Sequence, residues 1–311
     1  MTTTVETTRP QGRVAPAPLP GPHAVAVTDR TVHTDDGARL AVTLYHPAGA
    51  AESAGAGPVV VLAHGWAAGR TVWHEIAELL ATAGHTVAAY DQRGHGSATL
   101  GSEPVGIERL GRDLGSVVDT VAPEGPVVVL GHSGGGFAAL AWAARLFATD
   151  APAARARLAG LVLAGTAAHG QDTPASEVRM MGAKPFARAL RTPWLGRRLL
   201  GQTVGPTAAF EVRERNRRLF AACDRTVRAA CFASTQGMDL RPGLGRVTAP
   251  AVVVSGSADK VVDPALSRVL ADTLPEARFE EVAGAGHMLP LETPDRLARL
   301  VHALASESAG R

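Results

Sequence analysis

Gly131-His132-Ser133-Gly134-Gly135 centres a serine in a G-x-S-x-G pattern, between the apolar run PVVVLGHS (126–133) and the stretch GGGFAALAWAARL. The first run has strand character and the second helix character, so Ser133 falls on a sharp strand-to-helix turn. Such a turn strains the serine backbone, and residues larger than glycine at 131 or 135 would clash. The helix that follows aims its free N–H groups and positive end at the serine oxygen. A chance Gly-Ser-Gly turn is the alternative, and the strand and helix on either side argue against it.

A serine hydroxyl is a poor nucleophile at neutral pH and needs a base held by a third group. His287, in Gly284-Ala285-Gly286-His287, ends the run RFEEVAGAGH (278–287). Asp259, in Gly256-Ser257-Ala258-Asp259, ends the run PAVVVSGSAD (250–259). In this reading Asp259 orients the imidazole, and His287 takes the Ser133 proton and returns it to the leaving group. Asp263 competes for the acid's place, but Asp263-Pro264 has the form of a helix start with aspartate as the cap. The run ending near 165 offers no acid until Asp172. Acyl transfer also needs two backbone donors for the developing oxyanion. The N–H of Gly134 supplies one, and that of Trp66, in His64-Gly65-Trp66, is the candidate for the other. Trp66, His132, Met180, Met181, Trp194 and Met288 are expected to line the substrate pocket.

The remaining histidines do not assemble a second site. His64 and His95 lie in glycine-flanked loops, where a hydrogen-bonded structural role is expected, and His85 and His302 have the character of ordinary surface or packed residues. No H-E-x-x-H pattern or cysteine pairing suggests a metal, and no cofactor is expected. Two cysteines, Cys223 and Cys231, cannot make a disulfide framework. In a helix their spacing puts them roughly 12 Å apart, too far to bridge.

The elements that must carry these residues follow from periodicity. RTVHT and RLAVTLYH form a hairpin over 30–46 with Asp35, Asp36 and Gly37 as its turn. Apolar runs at 58–65, 85–91, 126–133, 158–165, 250–259 and 278–287 then alternate with helical stretches near 71–83, 105–121, 264–274 and 293–306. Continuous Val/Leu runs without alternation mark strands covered on both faces, and strand–helix repetition implies a mostly parallel sheet flanked by helices, an α/β class. Residues 169–247 break this rhythm and lack any strand-like run. A helical cap inserted after the sixth strand explains them, leaving 24–168 and 248–311 as the core. Residues 1–23, rich in Thr and Pro, are expected to form a disordered arm.

The chain has 311 residues, with 31 Lys+Arg against 29 Asp+Glu for a formal charge of +2. So balanced a chain has no global basic field for nucleic acid. The charge is unevenly placed: 169–247 holds 14 basic and 6 acidic residues, the remainder 17 and 23. No apolar run reaches the ~18 residues that span a bilayer, and the N-terminus lacks a signal-peptide pattern. A soluble cytoplasmic protein is expected.

His64-Gly65-Trp66, Asp91-Gln92-Arg93-Gly94-His95-Gly96-Ser97, the Ser133 elbow, Gly256-Ser257-Ala258-Asp259 and Gly286-His287 together resemble the α/β-hydrolase superfamily, whose triad runs Ser…Asp…His along the chain. The likeness is greatest to its capped esterase, lipase and cofactor-free perhydrolase branch. It implies a serine hydrolase cleaving a carboxylic ester of a small or medium apolar substrate through an acyl-enzyme on Ser133. A serine nucleophile argues against the superfamily's epoxide hydrolases and haloalkane dehalogenases, which use aspartate. One position departs from the pattern: many members carry a larger side chain after the nucleophile, where this chain has Gly134, expected to open the pocket floor or loosen the first helical turn. The basic cap points to a second class of substrate, an anionic or carrier-bound acyl thioester presented by an acidic carrier protein. Non-hydrolytic use of the same triad (perhydrolysis, carbon–carbon cleavage, cyclisation) and a non-catalytic receptor are further alternatives, the receptor disfavoured by the complete triad.

Overall fold

The computed structural model describes residues 25–47 and 57–309. The expected arm, 1–23, lies outside these residues. Eight strands form one sheet: β1 Val25–His33, β2 Arg39–Pro47, β3 Val59–Ala63, β4 Val87–Tyr90, β5 Val127–His132, β6 Leu158–Ala164, β7 Ala251–Gly256 and β8 Ala277–Val282. Their order is β1-β2-β4-β3-β5-β6-β7-β8. β1, β2 and β4 pair antiparallel, and every other neighbouring pair is parallel. The hairpin is as the sequence implies, except that β1 starts five residues earlier than its β-rich pattern.

Around the sheet lie α1 His74–Thr82, α2 Ile107–Val121, α3 Gly134–Phe147, α4 Ala151–Arg157, α11 Pro264–Thr273, α12 Leu289–Glu292 and α13 Pro294–Ala309. Between β6 and β7 come α5 Ala175–Gly182, α6 Lys184–Arg191, α7 Pro193–Leu199, α8 Phe210–Ala222, α9 Arg225–Ala233 and α10 Arg241–Leu244. That segment carries no strand; its β-like pairing is one isolated bridge between His169 and Asp239.

Both faces of the central strands β3–β7 are buried, which is why they read as unbroken apolar runs. On β3 and β5, Val61, Ala63, Val127 and Val129 pack toward α2 and α3, where Leu114, Val118 and Leu140 meet them. Val60, Leu62, Val128 and Leu130 pack on the other face with Trp73 and with Ile76 and Leu80 of α1 and Leu297 and Val301 of α13. Each such side chain, fully removed from water, contributes about 1.5–3 kcal/mol. The cost of the parallel arrangement is a long crossover for each strand pair, and its consequence is geometric. All carboxyl ends of β3 and β5–β8 open on one edge of the sheet, where loops gather chemistry from distant parts of the chain.

The loop after β4 is locked by charge. Arg93 is buried and grips Asp113 of α2 through Nε–Oδ2 at 2.6 Å and Nη2–Oδ1 at 2.8 Å. It also grips Asp36 of the hairpin turn through Nη1–Oδ2 at 2.8 Å and Nη2–Oδ1 at 3.0 Å. Planar two-point pairing on two carboxylates is what a guanidinium does and an ammonium cannot. His85 and His302, expected to be unremarkable, meet ring to ring at 2.7 Å across the α1–β4 turn and α13.

Candidate active site

Ser133 follows β5 and precedes α3 with φ 50° and ψ −119°, a left-handed conformation that is strained for any residue but glycine. Neighbouring glycines permit it. A Cβ at Gly131 would come within 2.7 Å of the Gly135 carbonyl, and one at Gly135 would overlap the Ala63 carbonyl on β3. The elbow therefore presses directly on the adjoining strand, and α3 opens with its N-terminal amides beside the serine.

Past β7, Asp259 is buried and fully engaged. Its Oδ1 accepts from the Val261 and Val262 amides at 2.8 and 3.0 Å, and its Oδ2 lies 2.9 Å from His287 Nδ1. Burial opposes its ionisation, but the neighbouring His287, that hydrogen bond and the two amides outweigh it, leaving the carboxyl below the ordinary carboxylate range. Asp263 takes the helix-capping place: its Oδ1 accepts the Ala265 amide at 2.9 Å at the start of α11. His287 follows β8 and lines the same cavity as Ser133.

His132 does more than occupy the variable position of the elbow. It lies beneath His287 with ring centroids 4.9 Å apart, and its Nε2–H donates to the His287 carbonyl at 2.9 Å. Burial first, then the neighbouring His287, pushes its pKa down to about 3. It is thus a neutral prop for the loop carrying His287, a role that no spacing in the sequence signals.

The loop after β3 is held in the same manner. His64 Nδ1–H donates to the Gly65 carbonyl at 2.7 Å while its Nε2 accepts the Gln92 amide at 3.0 Å. His95 Nδ1–H donates to the Arg93 carbonyl and its Nε2 accepts the Ala67 amide, both at 3.1 Å. Ala67 stands at φ 56°. Both histidines are structural, and together they fix the backbone around Trp66. The Trp66 indole lies across Gly134, where any Cβ would overlap it, and meets Phe137 and Phe232 edge to face at 5.4 and 5.6 Å. The expectation that Gly134 opens the pocket floor is corrected accordingly: Trp66 fills that space.

The cavity holds about 480 Å³, within the range of small-molecule sites. Ser133, His287, Trp66, His132 and Met288 line it from the sheet edge, and Met180, Met181, Phe186, Phe220 and Phe232 from the helices between β6 and β7. Trp194, expected in the pocket, is not part of its lining and stands 65% exposed on α7. An amphipathic short helix is ambiguous from sequence, because which side is covered depends on its neighbours. Phe186, Phe220 and Phe232 were not anticipated for the same reason. Among the described residues no cluster of three or more metal-ligating side chains occurs, and no helix is long and apolar enough to cross a membrane.

Comparison with known proteins agrees with this architecture. The chain is 30% identical over 264 residues to a pimeloyl-[acyl-carrier protein] methyl ester esterase of Stenotrophomonas maltophilia, covering 82% of this chain and 95% of that protein. It is 31% identical over 225 residues to a monoacylglycerol lipase of Mycolicibacterium smegmatis, covering 69% of this chain and 74% of the lipase. A thermophilic esterase from Thermogutta terrifontis superposes with a TM-score of 0.70 at 25% identity, over 88% of this chain and 97% of the esterase. The family model described as serine aminopeptidase, S33, matches residues 56–294. With a match across most of the chain, an eight-stranded mostly parallel sheet and helices on both faces, the chain belongs to this family of the α/β-hydrolase superfamily.

Proposed function

We propose that the protein hydrolyses carboxylic esters of small or medium apolar substrates through an acyl-enzyme on Ser133. The observation that carries this reading is the pairing of His287 Nδ1 with a buried, ionised Asp259 at 2.9 Å, on a histidine sharing its cavity with a serine on a strained elbow. That relatives of this length are named esterases and lipases supports it further.

Ser133 Oγ attacks the ester carbonyl as His287 Nε2 takes its proton. The oxyanion rests on the N–H groups of Trp66 and Gly134, and His287 then protonates the departing alcohol. Water, activated by the same imidazole, attacks the acyl-enzyme and releases the acid. Asp259 keeps the Nδ1–H tautomer in place and balances the imidazolium that forms. The helices of 169–247 act as a cap that closes the acyl pocket with methionine and phenylalanine side chains and excludes water from the acyl chain.

The test is a fluorophosphonate probe with a p-nitrophenyl ester chain-length series. The wild-type protein labels at Ser133 and hydrolyses the esters; Ser133→Ala loses label and roughly 10⁶-fold in kcat where chemistry limits the rate. A folded wild-type protein that fails to label at Ser133 refutes the proposal. A second reading, cleavage of an ester or thioester borne by a carrier protein, draws on the carrier-protein esterase relative and on the +8 charge of 169–247. In that case kcat/KM for a carrier-bound acyl group falls steeply with ionic strength, whereas that for a neutral ester hardly changes.

A further inference from the structure

Four large apolar side chains stand exposed within one short span of the chain: Met180 at 44%, Trp194 at 65%, Leu199 at 40% and Phe210 at 58%. Scattered singly they would mean little, but the helices that carry them pack on one another. α7 packs on α6 and α8, and α5 on α6. On α7, Trp194 and Arg197 are one turn apart on the same side of the helix, and the Arg197 guanidinium lies 4.7 Å over the Phe210 ring of α8. Leu199 and Met180 both line the Ser133 cavity while remaining exposed, so the apolar surface runs to the cavity mouth.

The same helices carry an excess of positive charge, against Glu177 on α5 and Glu211 and Glu214 on α8. Arg179, Lys184, Arg188, Arg191 and Arg198 are all exposed, and none has an ion-pair partner among the described residues. Arg197 is held by Glu214 at 2.8 Å, in a cluster with Arg217 and Arg218. Along α5–α7 the sole acidic residue is Glu177.

We infer that this face docks on an anionic phospholipid bilayer, with Trp194 and Phe210 entering the interface and the unpaired cations on lipid phosphates. Indole is favoured at the headgroup level, and each cation near an anionic surface adds attraction that salt weakens. An acidic protein would meet the charge equally well. It would, however, need a preformed recess for each of these two apolar side chains of different shape on two helices, whereas a fluid interface accommodates them without one. Docked in this way, the cavity mouth faces the lipid, and an apolar ester reaches Ser133 without crossing water. Only this delivery rests on the ester-hydrolase reading; the docking does not.

The full-length protein is floated with vesicles of phosphatidylglycerol and phosphatidylcholine, and with phosphatidylcholine alone. Of the four tryptophans, Trp73 and Trp142 are buried and Trp66 is half-buried, so Trp194 dominates any change in emission on binding. Flotation with the anionic vesicles, a blue shift that Trp194→Phe abolishes, and loss of both at high salt are expected. Trp194→Ala with Phe210→Ala lowers vesicle partition at least tenfold, yet leaves hydrolysis of a soluble short-chain p-nitrophenyl ester unchanged, since neither residue lines the cavity. Arg188→Glu with Arg191→Glu and Arg198→Glu does the same. Ser133→Ala still floats, which separates docking from catalysis. Failure to float with anionic vesicles at moderate salt overturns the inference. So does partition indifferent to Trp194, or capture by an acyl carrier protein without any vesicle association.

Discussion

The Trp66 indole rests on the Cα of Gly134, so the two residues to which we assign the oxyanion donors also share one side chain's worth of space. The absence of a side chain after Ser133 and the presence of a large one after Gly65 are therefore a single compensated feature. A methyl group at 134 has nowhere to go unless Trp66 moves, and Trp66 is wedged between Phe137 and Phe232.

Gly134→Ala is accordingly expected to displace Trp66 and spoil one oxyanion donor, lowering kcat by up to about 10²-fold, the lower end of what losing one such donor costs. Trp66→Leu in the same chain restores the space and recovers most of the loss. Steady-state kinetics on the double-mutant cycle check this; two independent, additive losses would contradict the shared-space account.

Asp259→Asn keeps the shape of the acid but reverses its hydrogen-bonding preference toward His287 Nδ1. A fall in kcat of about 10⁴-fold is expected, by analogy with the same change in a serine protease, with little change in the thermal midpoint. Activity of the variant should recover partly as pH rises. Retention of wild-type kcat at neutral pH would show that another acid supports His287.

The Arg93 network predicts a stability effect distant from chemistry. Asp113→Ala leaves the buried guanidinium with Asp36 as its remaining bidentate partner, and removing one partner of a buried pair costs roughly 3–5 kcal/mol. Urea unfolding of Asp113→Ala should therefore show a sharply lower midpoint at unchanged slope. A loss below ~1 kcal/mol would mean that Asp36 and the Glu103 carbonyl satisfy the Arg93 guanidinium without Asp113.

Buried histidines set the acid limit. His95 and His132 are pushed down to about 3 and His85 to about 4, in each case by burial first. The unfolded chain binds protons at these sites near pH 6.5 while the folded chain does not. Folded-state stability therefore falls as pH drops from about 6.5 toward 4, by up to about 1.4 kcal/mol per pH unit for each histidine. Denaturant midpoints measured at pH 7.5, 6 and 5 should decline steadily. His85→Leu, which removes one proton-binding site, should flatten that decline, and an unchanged slope would exclude His85 as a contributor.

Much of this protein is legible in its sequence because local rules decide it. Unbroken Val/Leu runs demand cover on both faces, glycine spacing around Ser133 demands an elbow, and Asp-Pro at 263–264 caps a helix wherever it folds. Strand-end residues Asp259 and His287 are readable for the same reason, since a parallel sheet sends all such ends to one edge. What the chain does not reveal locally is which side of a short helix is covered, or which distant carbonyl a buried histidine finds. Trp194 and Phe232 have similar local settings, yet one faces water and the other meets Trp66. The prop of His132 under His287 spans 155 positions. Contacts of that kind depend on the packing of many elements at once, and it was the tertiary structure that decided them.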